Sequence, residues 1–272
     1  MKLGCIDSTF NYLPLPYILA WPSATGFGVL SRLRIVKRNR YLIHALKKIS
    51  ALGFDCVQIM CQDPRYLPVK AGELKNICRG LDLEIASIGG YIDILGANWR
   101  VFKDVVRFSS ETDTKIVCLH SGRSRDRHSR SVLISRLSEI TDYADQYGIK
   151  IAIENSPAHM IRTDDDLLGI VRDVGHLYVN LDTGNLSSDL IRATNKLKRY
   201  IIHTHIKDSK IVDGKQVFTE LGRGQVPILE YLLTLKKIGF NGPVVLEHEG
   251  FADSERIRKS KEYLEKGLIR LE

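Results

Sequence analysis

The chain has 272 residues, of which 44% are hydrophobic and 26% charged, with 21 Gly and only 8 Pro, close to an ordinary soluble globular composition and far from disordered, collagen-like or disulfide-scaffold profiles. Forty Lys and Arg against 32 Asp and Glu leave a formal net charge of +8, which a basic solvated exterior explains and which also favours acidic partners such as phosphorylated metabolites, nucleic acid or an anionic surface. The five cysteines (Cys5, Cys56, Cys61, Cys78, Cys118) are odd in number, form no Cys-x-x-Cys and mostly lie in apolar runs, so they read as reduced core thiols of a cytoplasmic chain and not as a zinc knuckle or disulfide framework.

In chain order, the first β-branched apolar run is Leu3–Ile6. Beyond it Tyr12–Leu30 is apolar, but Pro14, Pro16, Pro22, Gly26 and Gly28 interrupt it, so it cannot span a membrane. We read Phe10–Arg40 as a long loop insertion, either a lid or oligomer contact or a loop packed on its own barrel. Further strand-like runs follow at Cys56–Met60, Leu83–Ile88, Ile116–Leu119, Ile149–Ile153, Leu177–Leu181, Tyr200–Ile206 and Val244–Leu246, making eight. Helical spacing lies between them, as in Leu133, Leu137, Ile140 and Ala144, or Leu229, Leu232, Leu233 and Leu235 ahead of a closing Gly239. Thr163 followed by Asp164, Asp165 and Asp166 reads as a helix start, an N-cap hydroxyl with three acids in the first turn, and not as a metal cluster.

Strict alternation of near-continuous apolar strands with helices indicates a parallel sheet covered on both faces. Eight units over 272 residues, about 34 each, fit a closed (β/α)8 TIM barrel of ~250 residues better than an open sheet. The expectation is therefore one α/β domain, residues 1–272, with the insertion at about 10–40 after the first strand.

In such a barrel chemistry sits at the C-terminal ends of the strands. There Ile151-Ala152-Ile153 ends in Glu154-Asn155, and Tyr178-Val179-Asn180-Leu181 ends in Asp182-Thr183-Gly184-Asn185. His203-Thr204-His205 runs into Ile206-Lys207-Asp208, and Val244-Val245-Leu246 ends in Glu247-His248-Glu249. Glu154, Asp182, His205 and Glu247 thus fall at one level on four successive strands. Three carboxylates and an imidazole converging there would repel one another unless protonated or bridged by a cation, and a divalent metal is the simplest resolution. One nitrogen and three oxygens suit Mn²⁺, Mg²⁺, Co²⁺ or Zn²⁺, and the lack of a thiolate argues against a closed structural zinc site. Alternation points His203 inward together with His205, and Asn180 and His203, one layer below the rim, read as satisfied core polar groups.

These motifs, with Leu221-Gly222-Arg223-Gly224-Gln225-Val226-Pro227, resemble the xylose isomerase-like TIM barrels. That superfamily holds sugar and sugar-phosphate isomerases and epimerases, inosose and dehydroshikimate dehydratases, and endonuclease IV. The resemblance spans nearly the whole chain, is strongest over 115–250, and implies that Glu154, Asp182, His205 and Glu247 bind one divalent cation, with Glu154 and Glu247 as acid and base. A divalent ion that chelates a carbonyl and its neighbouring hydroxyl acidifies the C–H between them and stabilises an enediolate. One glutamate would take that proton, and the other would return one for epimerisation or isomerisation.

Three departures from the family pattern bear on substrate. Asn185 stands where many members have His and cannot exchange a proton near neutral pH, which counts against standard ketohexose epimerase activity. Gln58 and Arg223 replace residues that are often acidic, which tilts the substrate toward an anion. His120, Asn185, Lys207 and Arg223 are the candidate substrate contacts, and Tyr91 and Trp21 could supply an apolar wall. Arg123, Arg125, Arg127 and Arg130 form a basic run that reads as solvated loop charge, with phosphate binding as the alternative.

The expected activity is a metal-dependent sugar or sugar-phosphate isomerase or epimerase, with a dehydratase of a polyol or keto-acid type substrate on the same site as the alternative. A non-catalytic sugar-binding protein ranks lower. So does an endonuclease IV-like nuclease, because Gln58-Ile59-Met60, Ser87-Ile88-Gly89-Gly90, Asn185 and Ser209-Lys210-Ile211 lack the extra histidines a three-metal cluster needs. The expected partner is a small carbohydrate or polyol, phosphorylated or not, with neither membrane nor nucleic acid, and a homodimer or homotetramer fits the family's habit.

Overall fold

The computed structural model describes residues 1–6, 42–61, 63–67, 69–95, 99–122, 127–248 and 254–269. The insertion expected at 10–40, with Trp21, lies outside them, as do Arg123, Arg125 and the side chains of Tyr91 and Arg127. Eight parallel strands close a barrel: β1 (Lys2–Ile6), β2 (Cys56–Met60), β3 (Glu84–Asp93), β4 (Ile116–His120), β5 (Lys150–Glu154), β6 (Leu177–Asp182), β7 (Ile201–Ile206) and, later in the chain, β10 (Pro243–Leu246). The helical residues 42–51 (α1) are followed by α2 (Ala71–Gly80), α3 (Trp99–Glu111), α4 (Arg127–Asp145), α5 (Asp164–Val174), α6 (Leu190–Leu197), α7 (Ile228–Lys237) and α8 (Ser254–Ile269). The expected (β/α)8 TIM barrel is the observed fold. No helix among the described residues is long and apolar enough to cross a membrane.

The core follows from strand alternation. Side chains pointing out of the sheet, such as Cys5, Val57, Leu119, Ile153 and Val244, join Leu133, Leu137, Ile140 and Ala144 of α4 and Tyr231, Leu232 and Leu235 of α7 in one apolar layer under the helices. Ile6, Cys56, Ala86 and Val245 form a separate cluster. All five cysteines are buried and none is in a disulfide.

Among the described residues the alternation of strand and α-helix breaks once. After β7 comes an antiparallel hairpin, β8 (Asp208–Val212) and β9 (Lys215–Thr219), before α7. Its turn is Asp213-Gly214, both at positive φ (50° and 73°), the requirement of a tight I′ hairpin turn and a signal readable in the sequence. Strand β3 also runs on to Asp93 instead of stopping at Ile88.

Thr163 caps α5 through a reciprocal pair: its Oγ1 accepts from Asp166 N (3.1 Å) while Asp166 Oδ2 accepts from Thr163 N (3.0 Å). Asp164, whose side chain is 1% exposed, receives Lys196 Nζ at 2.8 Å and Arg192 Nη2 at 3.1 Å. Burial opposes its charge, but the Lys196 and Ser188 hydrogen bonds prevail and lower its pKa below the ordinary value. A lowered folded pKa means stability that is present above the unfolded value of ~3.9 and lost as pH falls through the folded one. Asp164→Asn should therefore cost about 1.5–3 kcal/mol at neutral pH, the range for hydrogen bonds to a charged group. Denaturant unfolding at pH 7 and at pH 3 checks this: the gap to wild type should narrow in acid, and an equal gap at both would remove the charge as its source.

Candidate metal centre

Register carries the strand-end residues to one place. His120 pairs with Glu154, Glu154 with Asn180, Asn180 with His203 and Asp182 with His205, so neighbouring strands present their polar ends in overlapping rows. Two shifts of register make this possible. Between β2 and β3 the pairing skips Ala86 and sets Ser87 beside Gln58, and between β6 and β7 it skips Ile202 and sets His203 beside Asn180. Such one-residue bulges re-aim side chains, and here they bring a polar layer into an otherwise apolar barrel.

Glu154, Asp182, His205 and Glu247 each offer a ligand atom, and these atoms all lie within 4.8 Å of one another. His205 Nδ1 stands 3.2 Å from Glu154 Oε2, 3.0 Å from Glu247 Oε2 and 3.9 Å from Asp182 Oδ2. Donors spaced in this way can share one ion at bond lengths of ~2.0–2.4 Å. Glu247 Oε2 is buried and accepts no well-aligned hydrogen bond among the described residues, as expected of an oxygen reserved for a cation. The residues present therefore fit a single divalent ion.

Three of the four candidate ligands, Asp182, Glu154 and His205, are held from behind. Asn155 clamps the Asp182 backbone, its Nδ2 donating to Asp182 O and its Oδ1 accepting from Asp182 N, both at 2.9 Å. Asp182 Oδ1 accepts from the backbone N–H of Gly184 and Asn185, and Asn185 Nδ2 donates to Oδ2 at 3.0 Å. Asn180 Nδ2 donates to Glu154 Oε2 at 2.9 Å. The far nitrogen of His205, Nε2, lies 2.9 Å from Gln58 Oε1. Ser87 Oγ lies 2.7 Å from the same Gln58 oxygen and 2.9 Å from His203 Nε2, and His203 Nδ1 lies 2.9 Å from Asn180 Oδ1. Gln58, Ser87, His203 and Asn180 thus make a polar arc from one candidate ligand, His205, to another, Glu154. Asn180 and His203 are the satisfied polar groups expected, but they touch the cluster directly or through one partner. Ser87 had no signal in the sequence, because its inward direction depends on the bulge at Ala86.

The electrostatics match a cation-seeking cluster. Burial opposes a charged Glu154, but the His205 and His120 imidazoles outweigh it and hold the carboxyl well below the usual range. Burial also acts against Glu247, where Lys207 and His205 prevail and lower the pKa. At Asp182 burial wins over Lys207, and the carboxyl is pushed up to about 7. Burial would lower His205, yet Glu154 and Glu247 raise it to about 10. For His120 and His203 burial dominates and both are lowered, which keeps them neutral. The imidazole thus answers the surrounding carboxylates with positive charge.

The remaining candidates sit as follows. His120 is buried with its Nε2 3.8 Å from Glu154 Oε2, and its ring packs edge-on against His159 at 4.7 Å. His159 and His248, both buried at the barrel mouth, were not singled out from sequence. Lys207 Nζ lies between Asp182 and Glu247. Arg223 is exposed on the 220–227 loop, which wraps Asp208: the carboxylate accepts from the backbone N–H of Gly222 and Gly224 (2.9 Å each) and Val226 (3.1 Å). A Cβ on Gly224 would stand 2.1 Å from Asp208 Oδ1, so glycine is required there. Arg130 pairs with Asp173 at 2.7 Å, consistent with solvated surface charge.

Comparison with known proteins agrees with this architecture. An uncharacterized Methanocaldococcus jannaschii protein, MJ1311, is 30% identical over 272 residues, covering 90% of this chain and 91% of the relative. The structure of an L-ribulose 3-epimerase superposes with a TM-score of 0.78 at 15% identity, covering 99% of this chain and 95% of that one. The probable 3-DHS dehydratase AsbF of Bacillus anthracis superposes with a TM-score of 0.73 at 15% identity, covering 97% and 99%. At such identities the two structures establish a shared fold. The family profile described as xylose isomerase-like TIM barrel matches residues 46–267, and the chain belongs to that family.

Proposed function

We propose that the protein is a divalent-metal-dependent isomerase or epimerase of a sugar or sugar phosphate that works through an enediolate. The observation that carries this reading is the convergence of Glu154, Asp182, His205 and Glu247, with ligand atoms within 4.8 Å of one another, at the C-terminal mouth of the barrel. An ion held there would polarise a substrate carbonyl and its neighbouring hydroxyl. The protein supplies the proton chemistry. Glu154 ends β5 and Glu247 follows β10, with β6 and β7 between them, so the two carboxylates flank Asp182 and His205. One takes the proton from the carbon between carbonyl and hydroxyl and becomes a carboxylic acid, leaving the electron pair in the enediolate. The other, protonated at the start of the cycle, delivers its proton to the opposite face of that carbon, or to the adjacent carbon for aldose–ketose isomerisation, and is left as the carboxylate. His120, Asn185 and Arg223 are the substrate-facing groups in this reading, with Asn185 orienting substrate by hydrogen bonding and taking no part in proton transfer, while the Lys207 ammonium is taken up by Asp182 and Glu247.

A dehydratase is the second reading, favoured by the superposition on the probable 3-DHS dehydratase. There the same enolate expels a β-hydroxyl, which leaves as water with a proton from the acid. Turnover of aldoses, ketoses, their phosphates, polyols and hydroxy-keto acids with Mn²⁺ in D₂O, followed by NMR, separates the two. Solvent deuterium at the carbon next to the carbonyl, with the carbon skeleton intact, is the isomerase outcome. Loss of water identifies the dehydratase, and epimerisation or isomerisation without deuterium uptake would overturn the two-glutamate enediolate route.

A further inference from the structure

A lysine seldom lies fully buried unless it is paired, and Lys207, immediately after β7, has a side chain only 2% exposed. Its placement is constrained on every side. Thr183 Oγ1 donates to Lys207 O at 2.8 Å and accepts from Lys207 N at 2.9 Å. Gly184 leaves room for the side chain, since a Cβ there would stand 2.7 Å from Lys207 Cβ. The Phe218 ring of the β8–β9 hairpin lies 5.7 Å from the ammonium. Held in this way, Nζ reaches Asp182 Oδ2 at 2.9 Å and Glu247 Oε1 at 3.1 Å, bridging two carboxylates from two strand ends as a metal ion would. Glu247 is thereby split: Oε1 faces Lys207, and Oε2 faces His205 Nδ1 at 3.0 Å.

We propose that Lys207 is a resident counter-cation of the centre, standing in the place of a second metal ion. The inference rests on the metal-centre reading above. With His205 neutral, as a metal-ligating imidazole must be, three carboxylates and one ammonium sum to −2, the charge one divalent ion neutralises, so the centre takes one ion and has no charge left to hold another. The same ammonium repels the ion it admits, and so moderates its affinity.

This predicts an unusual sign. A lysine that only positioned Asp182 and Glu247 would, on removal, weaken metal binding. A counter-cation, on removal, leaves a −3 ligand set that binds the first ion more tightly and admits a second. The test is calorimetric titration of the full chain with MnCl₂ alone, for wild type, Lys207→Met and Lys207→Arg, with folding checked by circular dichroism. Lys207→Gln replaces the Met variant if that one does not fold. Wild type and Lys207→Arg should bind one ion per chain. The neutral variants should bind the first ion at least about tenfold more tightly, since the like charges of ammonium and ion a few ångströms apart in a partly buried site no longer repel, and should show a second, weaker site. Weaker or unchanged binding in a folded neutral variant, with wild type still binding one ion, overturns the counter-cation while leaving the metal centre standing. No binding by wild type overturns the metal centre itself, and this inference with it.

Discussion

Replacing Glu247 or Glu154 with Gln is expected to lower turnover by about 10²–10⁴-fold, the usual contribution of a positioned acid or base. Glutamine keeps the size and one carbonyl oxygen but cannot accept and return a proton. The two variants should differ in what else they lose. Glu154 is anchored by Asn180 Nδ2 at 2.9 Å and approached by His205 and His120, so its replacement disturbs the ligand set as well as the proton path. Glu247 has the more exposed side chain, 14% against 6%, and a second oxygen engaged by Lys207, so Glu247→Gln should retain more metal for the same loss of rate. Steady-state rates and washout of substrate hydrogen into D₂O, measured alongside Mn²⁺ content, separate the two effects. Full activity in both variants would remove these glutamates from the chemistry.

Asp182→Asn should have its largest effect on ion affinity. The change preserves what holds the segment together: Asn155 still clamps the backbone, and a side-chain carbonyl can still accept from the N–H of Gly184 and Asn185. What disappears is one negative charge and the oxygen that faces Lys207 and His205 Nδ1. Since disturbing even the partners of metal ligands typically costs 10–100-fold in affinity, loss of a ligand oxygen should cost on the order of 100-fold or more. Mn²⁺ titration of the folded variant checks this. An affinity equal to wild type would exclude Asp182 from the ligand set.

Much of this architecture is legible along the chain because its signals are local. The eight barrel strands announce themselves as short β-branched runs, and the α5 start at Thr163 through cap chemistry. Glu154, Asp182, His205 and Glu247 can be picked out together because each ends or follows such a run, and a parallel barrel gathers strand ends at one mouth. The hairpin after β7 was readable from Asp213-Gly214 but is hidden by the strand–helix rhythm around it.

The barrel, the inward direction of alternate strand residues and the acids and imidazole at the rim all follow from local signals, since propensity, periodicity and strand order act through near neighbours. What stands behind them depends on long-range packing. Ser87 reaches His203 across 116 residues of sequence, and Gln58 reaches His205 across 147, through pairings set by bulges at Ala86 and Ile202. A one-residue shift of register reverses which face a side chain points to, and that shift is settled by how whole strands pack and not by local preference. The position of Lys207 was decided in the same way. Its place after His205 suggested a group facing substrate, but Thr183, Gly184 and the hairpin steer its ammonium between Asp182 and Glu247, where the burial of three carboxylates calls for a positive charge.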